Sequence, residues 1–83
     1  MSGLITKLPK MLLFVVYRQP RDLPGVPFAV RGWEVVDDGQ VPHEVRPFAS
    51  LAAARHFIFG RLPGARRINR AAEDDPVVVE TWL

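Results

Sequence analysis

Apolar residues concentrate in three stretches of the chain, and each stretch predicts a β-strand. Residues 11–18 read Met-Leu-Leu-Phe-Val-Val-Tyr-Arg, so both alternating sets of side chains are apolar. A strand that is apolar on both faces is typical of the centre of a sheet. Residues 28–36 and 77–83 are the other two stretches, and both are rich in β-branched and aromatic residues. Gly32, inside the second stretch, indicates a bulge or a close approach by another group.

One segment between the second and the last strand predicts a single helix. Ser50 fits the N-cap position, and good helix formers follow it up to Gly60, where we expect the helix to end. At about 100° per residue, Arg55, His56 and Phe59 fall near or beyond the rim of the packed side. The residues expected to pack on the sheet are Leu51, Ala53, Ala54, Phe57 and Ile58.

Turn-forming residues separate these elements. Residues 19–27 contain three prolines and a glycine, which predicts a stiff loop rather than a tight hairpin. Asp38 and Gly39 form a turn dipeptide. Residues 61–72 are interpreted as a basic connector, and the acidic run at 73–76 turns the chain into the last strand.

The order of these elements predicts a small α+β domain. A right-handed crossover from the second strand through the helix places the last strand beside the first, on the side away from the second. We therefore expect a three-stranded, mostly antiparallel sheet of order 2-1-3 with one helix on one face. An additional strand over residues 40–48 would be short and at an edge, because Pro42 and Pro47 cannot donate to a ladder.

One helix shields only one face of such a sheet, which leaves apolar residues of the first strand bare on the other. Large exposed apolar patches mark protein contacts, and tryptophan is enriched at the centres of interfaces. If the two tryptophans share this face, the predicted protein interface consists of Tyr17, Arg31, Trp33, Glu80 and Trp82. The alternative is that residues 1–10, the proline-rich loop or residues 61–72 fold over the same face.

The chain has 83 residues and no cysteine, which limits its means of stabilisation. We interpret residues 11–83 as a single α+β domain and residues 1–10 as a flexible leader. A domain this small buries only about 60% of its unfolded surface, so its stability is marginal. Because the chain can form neither disulfides nor thiolate–metal sites, association with another molecule is the remaining means of stabilising it. We therefore expect a protein partner or a homodimer. The cysteine-free composition fits the cytoplasm, and no apolar run reaches the roughly 20 residues of a membrane helix.

Basic and acidic residues are segregated along the chain. Residues 43–70 hold six arginines and one acid, whereas the net charge of the whole chain is only +2. Because clustered arginines can grip phosphates, a nucleic-acid-binding accessory protein is the alternative function. Its candidate residues are Arg55, Arg61, Arg66, Arg67 and Arg70.

No catalytic, metal or cofactor motif stands out in the sequence. His43 and His56 lie in different predicted elements, without the spacing of metal ligands. Nucleophilic catalysis needs an activated thiol or hydroxyl, and Ser50 is better used as a helix cap. Gly60 and Gly64 follow a helix, whereas a phosphate-binding loop leads into one. We therefore expect no enzyme activity, no metal, no cofactor and no small-molecule substrate.

Several segments resemble a group of uncharacterised small proteins of bacteria and phages. The segments are residues 17–33, residues 50–55 and, most specifically, the ending at 74–83, which reads Asp-Asp-Pro-Val-Val-Val-Glu-Thr-Trp-Leu. Members of the group end in a similar strand, and the group brings no assigned reaction. Its frequent company with mobile elements implies an accessory role, such as an inhibitor of a host complex of the anti-CRISPR type.

Overall fold

The computed structural model describes residues 11–72 and 74–83. In chain order, their elements are β1 (Met11–Arg18), β2 (Phe28–Val36), β3 (Gly39–Phe48), α1 (Leu51–Arg61), β4 (Arg67–Asn69) and β5 (Val78–Trp82). The leader predicted for residues 1–10 lies outside the described residues. Across the described ranges, no helix combines the length and hydrophobicity that a membrane span requires.

The strands form one antiparallel sheet of order β3-β2-β1-β5-β4, with α1 on one face. This confirms a small α+β fold with an antiparallel sheet and one helix. The prediction of three strands is wrong, because the sheet extends by one strand at each edge. At its centre, β2, β1 and β5 are neighbours, as the crossover argument requires.

Both additional strands come from segments whose sequence obscures them. β3 runs for 10 residues rather than as a short strand. An edge strand leaves one row of N–H groups without a ladder partner, so it tolerates Pro42 and Pro47. β4 lies within the stretch interpreted as a connector, and all three of its residues are exposed. Its lone apolar residue, Ile68, gives no alternation that a sequence pattern would reveal.

The helix begins where it was predicted to begin and ends later. The Ser50 hydroxyl accepts a hydrogen bond from the Ala53 amide at 3.1 Å, which confirms the N-cap. The expectation that Gly60 ends the helix is wrong, because Gly60 does not adopt the left-handed conformation of a glycine stop. Instead, the Leu62 amide closes the last turn on the Ile58 carbonyl at 2.7 Å.

An apolar core lies between α1 and the sheet. Ala53, expected on the packed side of the helix, is exposed, because the helix presents Ala54 and Ile58 to the sheet. The expectation for Gly32 is confirmed: the β2–β3 register shifts directly after it, and a Cβ there would lie 2.9 Å from the Phe14 ring. The buried members of the core are Phe14, Val16, Val30, Ala54, Ile58 and Trp82.

Strand register divides the side chains between two faces of the sheet. Cross-strand partners share a face, and Phe14 pairs with Gly32 on β2 and with Trp82 on β5. These residues lie beneath α1, since Phe14 and Trp82 belong to the core. The opposite face, called the open face from here on, carries Leu13, Val15, Tyr17, Ala29, Arg31, Trp33, Val45, Ile68 and Thr81.

Candidate protein-interaction surface

A row of side chains crosses all five strands on the open face. Val15 on β1 pairs with Arg31 on β2 and with Thr81 on β5. Arg31 in turn pairs with Val45 on β3, and Thr81 with Ile68 on β4. The ends of the row are its most exposed positions, with Val45 44% and Ile68 48% accessible. Apolar side chains at both edges of a half-buried centre form a surface of the kind that partners cover.

Aromatic side chains lie beside this row. Trp33 pairs with Leu13 across the strands, and its side chain lies near the Tyr17 hydroxyl. The Arg31 guanidinium lies 5.7 Å from the centre of the Tyr17 ring, which is within cation–π range. Burial raises the pKa of the Tyr17 hydroxyl, so this group stays neutral at physiological pH. Leu13, Tyr17 and Trp33 thereby border a shallow depression on the open face.

Arg31 is the charged residue of the row, and an ion pair compensates its charge. Its guanidinium contacts the carboxylate of Asp22, which comes from the proline-rich loop. Covering an arginine that is already paired and stacked on an aromatic ring leaves no uncompensated charge behind. The centre of the row is therefore compatible with an apolar partner.

Two loops touch the open face without placing a helix or strand over it. Asp22 reaches Arg31 from the proline-rich loop, and Asp74 borders the depression. Ala29, at one end of the face, is buried. Among residues 11–72 and 74–83, no helix or strand packs on this face, because α1 lies on the other one.

The structure separates the five residues predicted as a protein interface. Tyr17, Arg31 and Trp33 lie together on the open face. Glu80 and Trp82 lie on the helix face, where they are 2% and 6% accessible, so they are not exposed to a partner there. The reason is register: Trp82 pairs with Phe14, the neighbour of the residue that pairs with Trp33. Sequence alone does not show which alternating set of side chains on one strand shares a face with which set on another strand.

Beneath the helix, Glu80 is the centre of a polar network that sequence analysis did not identify. Arg55 donates to both carboxylate oxygens, from Nε at 2.9 Å and from a terminal nitrogen at 2.7 Å. The Trp82 indole donates to the same carboxylate at 2.7 Å, and the Phe59 ring lies edge-on to the indole. The hydrogen bonds from Arg55, followed by that from Trp82, outweigh burial and lower the pKa of Glu80. The available signal was a lone acid within an apolar strand, which requires a buried partner.

The five arginines proposed to bind nucleic acid do not form one cluster. Arg55 is committed to Glu80, and the Arg61 guanidinium contacts the Glu44 carboxylate at 2.7 Å. The other three are exposed on β4 or next to it: Arg66, Arg67 and Arg70. The sequence therefore overstated the number of arginines that could reach a phosphate backbone together.

A second polar cluster joins β3 to the end of α1. Glu44 contacts Arg46 at 2.8 Å as well as Arg61, and both guanidinium groups lie within 5.4 Å of the Phe57 ring centre. Burial raises the pKa of Glu44, but its contacts with the two arginines lower it by more. We assign this cluster a structural role. In the described part of the chain, no group of three or more histidines, aspartates and glutamates is placed to hold a metal ion.

Comparisons with known proteins give no assignment: no protein-family model, no curated protein and no solved structure matches the chain. The resemblance to small phage-borne proteins therefore stays a prediction.

Proposed function

We propose that the protein is a non-enzymatic protein-interaction module that self-associates through the open face. The observation that supports this is the row from Val45 to Ile68, which crosses five strands. Five strands span about 24 Å, and the eight residues of β1 span about 26 Å. The resulting footprint of about 600 Å² approaches the roughly 800 Å² that each partner of a standard interface buries.

The row is self-complementary under a two-fold axis parallel to β1. Such an axis places Val15 against Val15 of the second copy, and Val45 against Ile68 of the second copy. Arg31, already paired with Asp22, then faces the hydroxyl-bearing Thr81 of the second copy. Apolar groups meet apolar groups, and no like charges oppose each other along the row. Association of this kind adds stability to a domain too small to gain much from its own core.

Nucleic-acid binding is the second candidate function. The observation that favours it is the exposure of Arg66, Arg67 and Arg70 on or beside β4. Against it, Arg55 and Arg61 are occupied by ion pairs with Glu80 and Glu44. We therefore place it behind self-association.

Sedimentation equilibrium at two protein concentrations and two salt concentrations tests the proposal. Self-association through an apolar face predicts a mass that rises with protein concentration and holds or increases as salt is raised. Nucleic-acid binding predicts instead a complex with a labelled oligonucleotide whose affinity falls steeply with salt. A protein that stays monomeric at all concentrations contradicts self-association through the open face.

A further inference from the structure

The two edges of the sheet differ in their capacity to accept another strand. On β3, Pro42 and Pro47 lack the N–H group that a new ladder would use. On β4, the three residues Arg67, Ile68 and Asn69 include no proline and are all exposed. Sheet edges of this second kind are templates for pairing with another chain.

Hydrogen bonding on the inner side of β4 shows which backbone groups face outward. The Arg66 amide donates to the Leu83 carbonyl at 2.8 Å, and the Leu83 amide donates to the Arg66 carbonyl at 3.1 Å. In an antiparallel ladder such reciprocal pairs alternate with residues whose N–H and C=O groups point the other way. Arg67 and Asn69 therefore direct their N–H and C=O groups away from β5, toward the edge that no strand of residues 11–72 or 74–83 occupies.

The positive charge along the β4 edge determines which kind of strand can pair with it. Arg66 and Arg70 flank the strand, and Arg67 lies within it, so an incoming strand faces positive charge on both sides of exposed Ile68. A second copy of β4 is a poor occupant. Antiparallel pairing centred on Ile68 places Arg66 opposite Arg70 of the second copy at both ends, and directly opposed like charges destabilise a ladder.

We propose that β4 accepts an extended, acidic segment of another protein as a sixth strand of the sheet. Arg67 and Asn69 supply the backbone hydrogen bonds, and Arg66, Arg67 and Arg70 pair with carboxylates of the incoming strand. Ile68 packs against an apolar residue between those carboxylates. The site shares Ile68 with the open face, but its backbone hydrogen bonds come from Arg67 and Asn69 and do not require self-association.

The test uses the full chain, labelled for NMR, and a capped peptide with the central sequence Glu-Thr-Val-Glu-Glu. In an antiparallel ladder this sequence places valine opposite Ile68 and glutamates opposite Arg66, Arg67 and Arg70. Binding predicts that the amides of Arg67 and Asn69 exchange with solvent about tenfold more slowly, because new backbone bonds protect them. A peptide of the same sequence with alternate amides N-methylated should bind at least about tenfold more weakly, because it cannot complete the ladder. Equal binding of the two peptides, or no slowing of exchange at these amides, overturns the proposal.

Two variants separate backbone pairing from simple charge attraction. Asn69→Pro removes an outward N–H but no bond to β5, so it should weaken the peptide at least about tenfold. Arg66→Gln with Arg70→Gln should weaken peptide binding and reduce its salt dependence, because only Arg67 then remains to pair with a carboxylate. Slow exchange at Arg67 and Asn69 in the chain alone would mean that the outer edge of β4 is already paired, and that result also overturns the proposal. If Asn69→Pro does not fold, the N-methylated peptide still decides the question.

Discussion

Arg55 and Glu80 form a two-point ion pair that ties α1 to β5, with nitrogen–oxygen distances of 2.9 and 2.7 Å. Glu80 is 2% accessible, so this carboxylate is buried in the core of a very small domain. A buried carboxylate persists only where donors satisfy it, and here Trp82 supplies the third hydrogen bond. The pair therefore fixes the helix over the face that carries the core and leaves the open face unshielded by any described helix.

Removal of Arg55 should destabilise the protein strongly. Arg55→Ala leaves Glu80 buried with one remaining side-chain donor, Trp82, and we expect a loss of about 2 to 3 kcal/mol at neutral pH. This loss is at or below the low end of the range for breaking a buried ion pair, because the Arg55 side chain is 34% accessible to solvent. His56→Ala on the exposed side of α1 is the matched control, with an expected change within about 0.5 kcal/mol. Urea unfolding measures both, and equal losses would contradict the assigned role of Glu80.

The same pair predicts how stability depends on pH. Hydrogen bonds from Arg55 lower the pKa of Glu80 in the folded protein below its unfolded value of about 4.3. Its stabilisation is therefore present above pH of about 4.3 and is lost as pH falls through the lower folded pKa. Consequently the penalty of Arg55→Ala should shrink in acid, where Glu80 is neutral in both variants. A penalty that is constant from pH 7 down to about pH 3 would refute this coupling.

Two glycine substitutions should change stability in opposite directions. At Gly32 a new Cβ would lie 2.9 Å from the Phe14 ring and 3.3 Å from Glu44, so Gly32→Ala should cost about 1 to 3 kcal/mol. At Gly60 nothing lies within 4 Å of a Cβ and the residue is helical, so Gly60→Ala should stabilise by up to about 1 kcal/mol. Thermal unfolding of both variants measures the difference. A tolerated Gly32→Ala would show that Phe14 does not pack against β2 as described.

The two tryptophans should respond differently to replacement by alanine. Trp82 is 6% accessible in the core, and its loss should cost about 3 to 5 kcal/mol, enough to unfold much of a small domain. Trp33 is half-buried on the open face, so Trp33→Ala should cost about 1 kcal/mol of fold stability and mainly weaken self-association. Circular dichroism and sedimentation measure the two effects. Similar unfolding by both variants would contradict the division of the tryptophans between faces.

Local signals in the sequence predicted the elements that depend on local chemistry. The double-sided apolar pattern of residues 11–18 identified the central strand, and Ser50 identified the start of the helix. Register was not predictable, because a shift of one residue moves every side chain of a strand to the other face. This is why Trp82 and Glu80 were assigned to the interface although they lie in the core. β4 was missed because its pairing with β5 comes from tertiary structure rather than from its own composition.

The most direct test of self-association compares the same substitution on the two faces. Val15 lies at the centre of the open face. Val41 on β3 pairs with Glu34 of β2 and therefore lies on the opposite face, where it is 46% accessible. Light scattering over a concentration series should show a dimer for the unmodified protein and for Val41→Glu, and a monomer for folded Val15→Glu. A buried glutamate at the two-fold axis would meet its own copy. If Val15→Glu remains as dimeric as Val41→Glu, the open face is not where two copies meet.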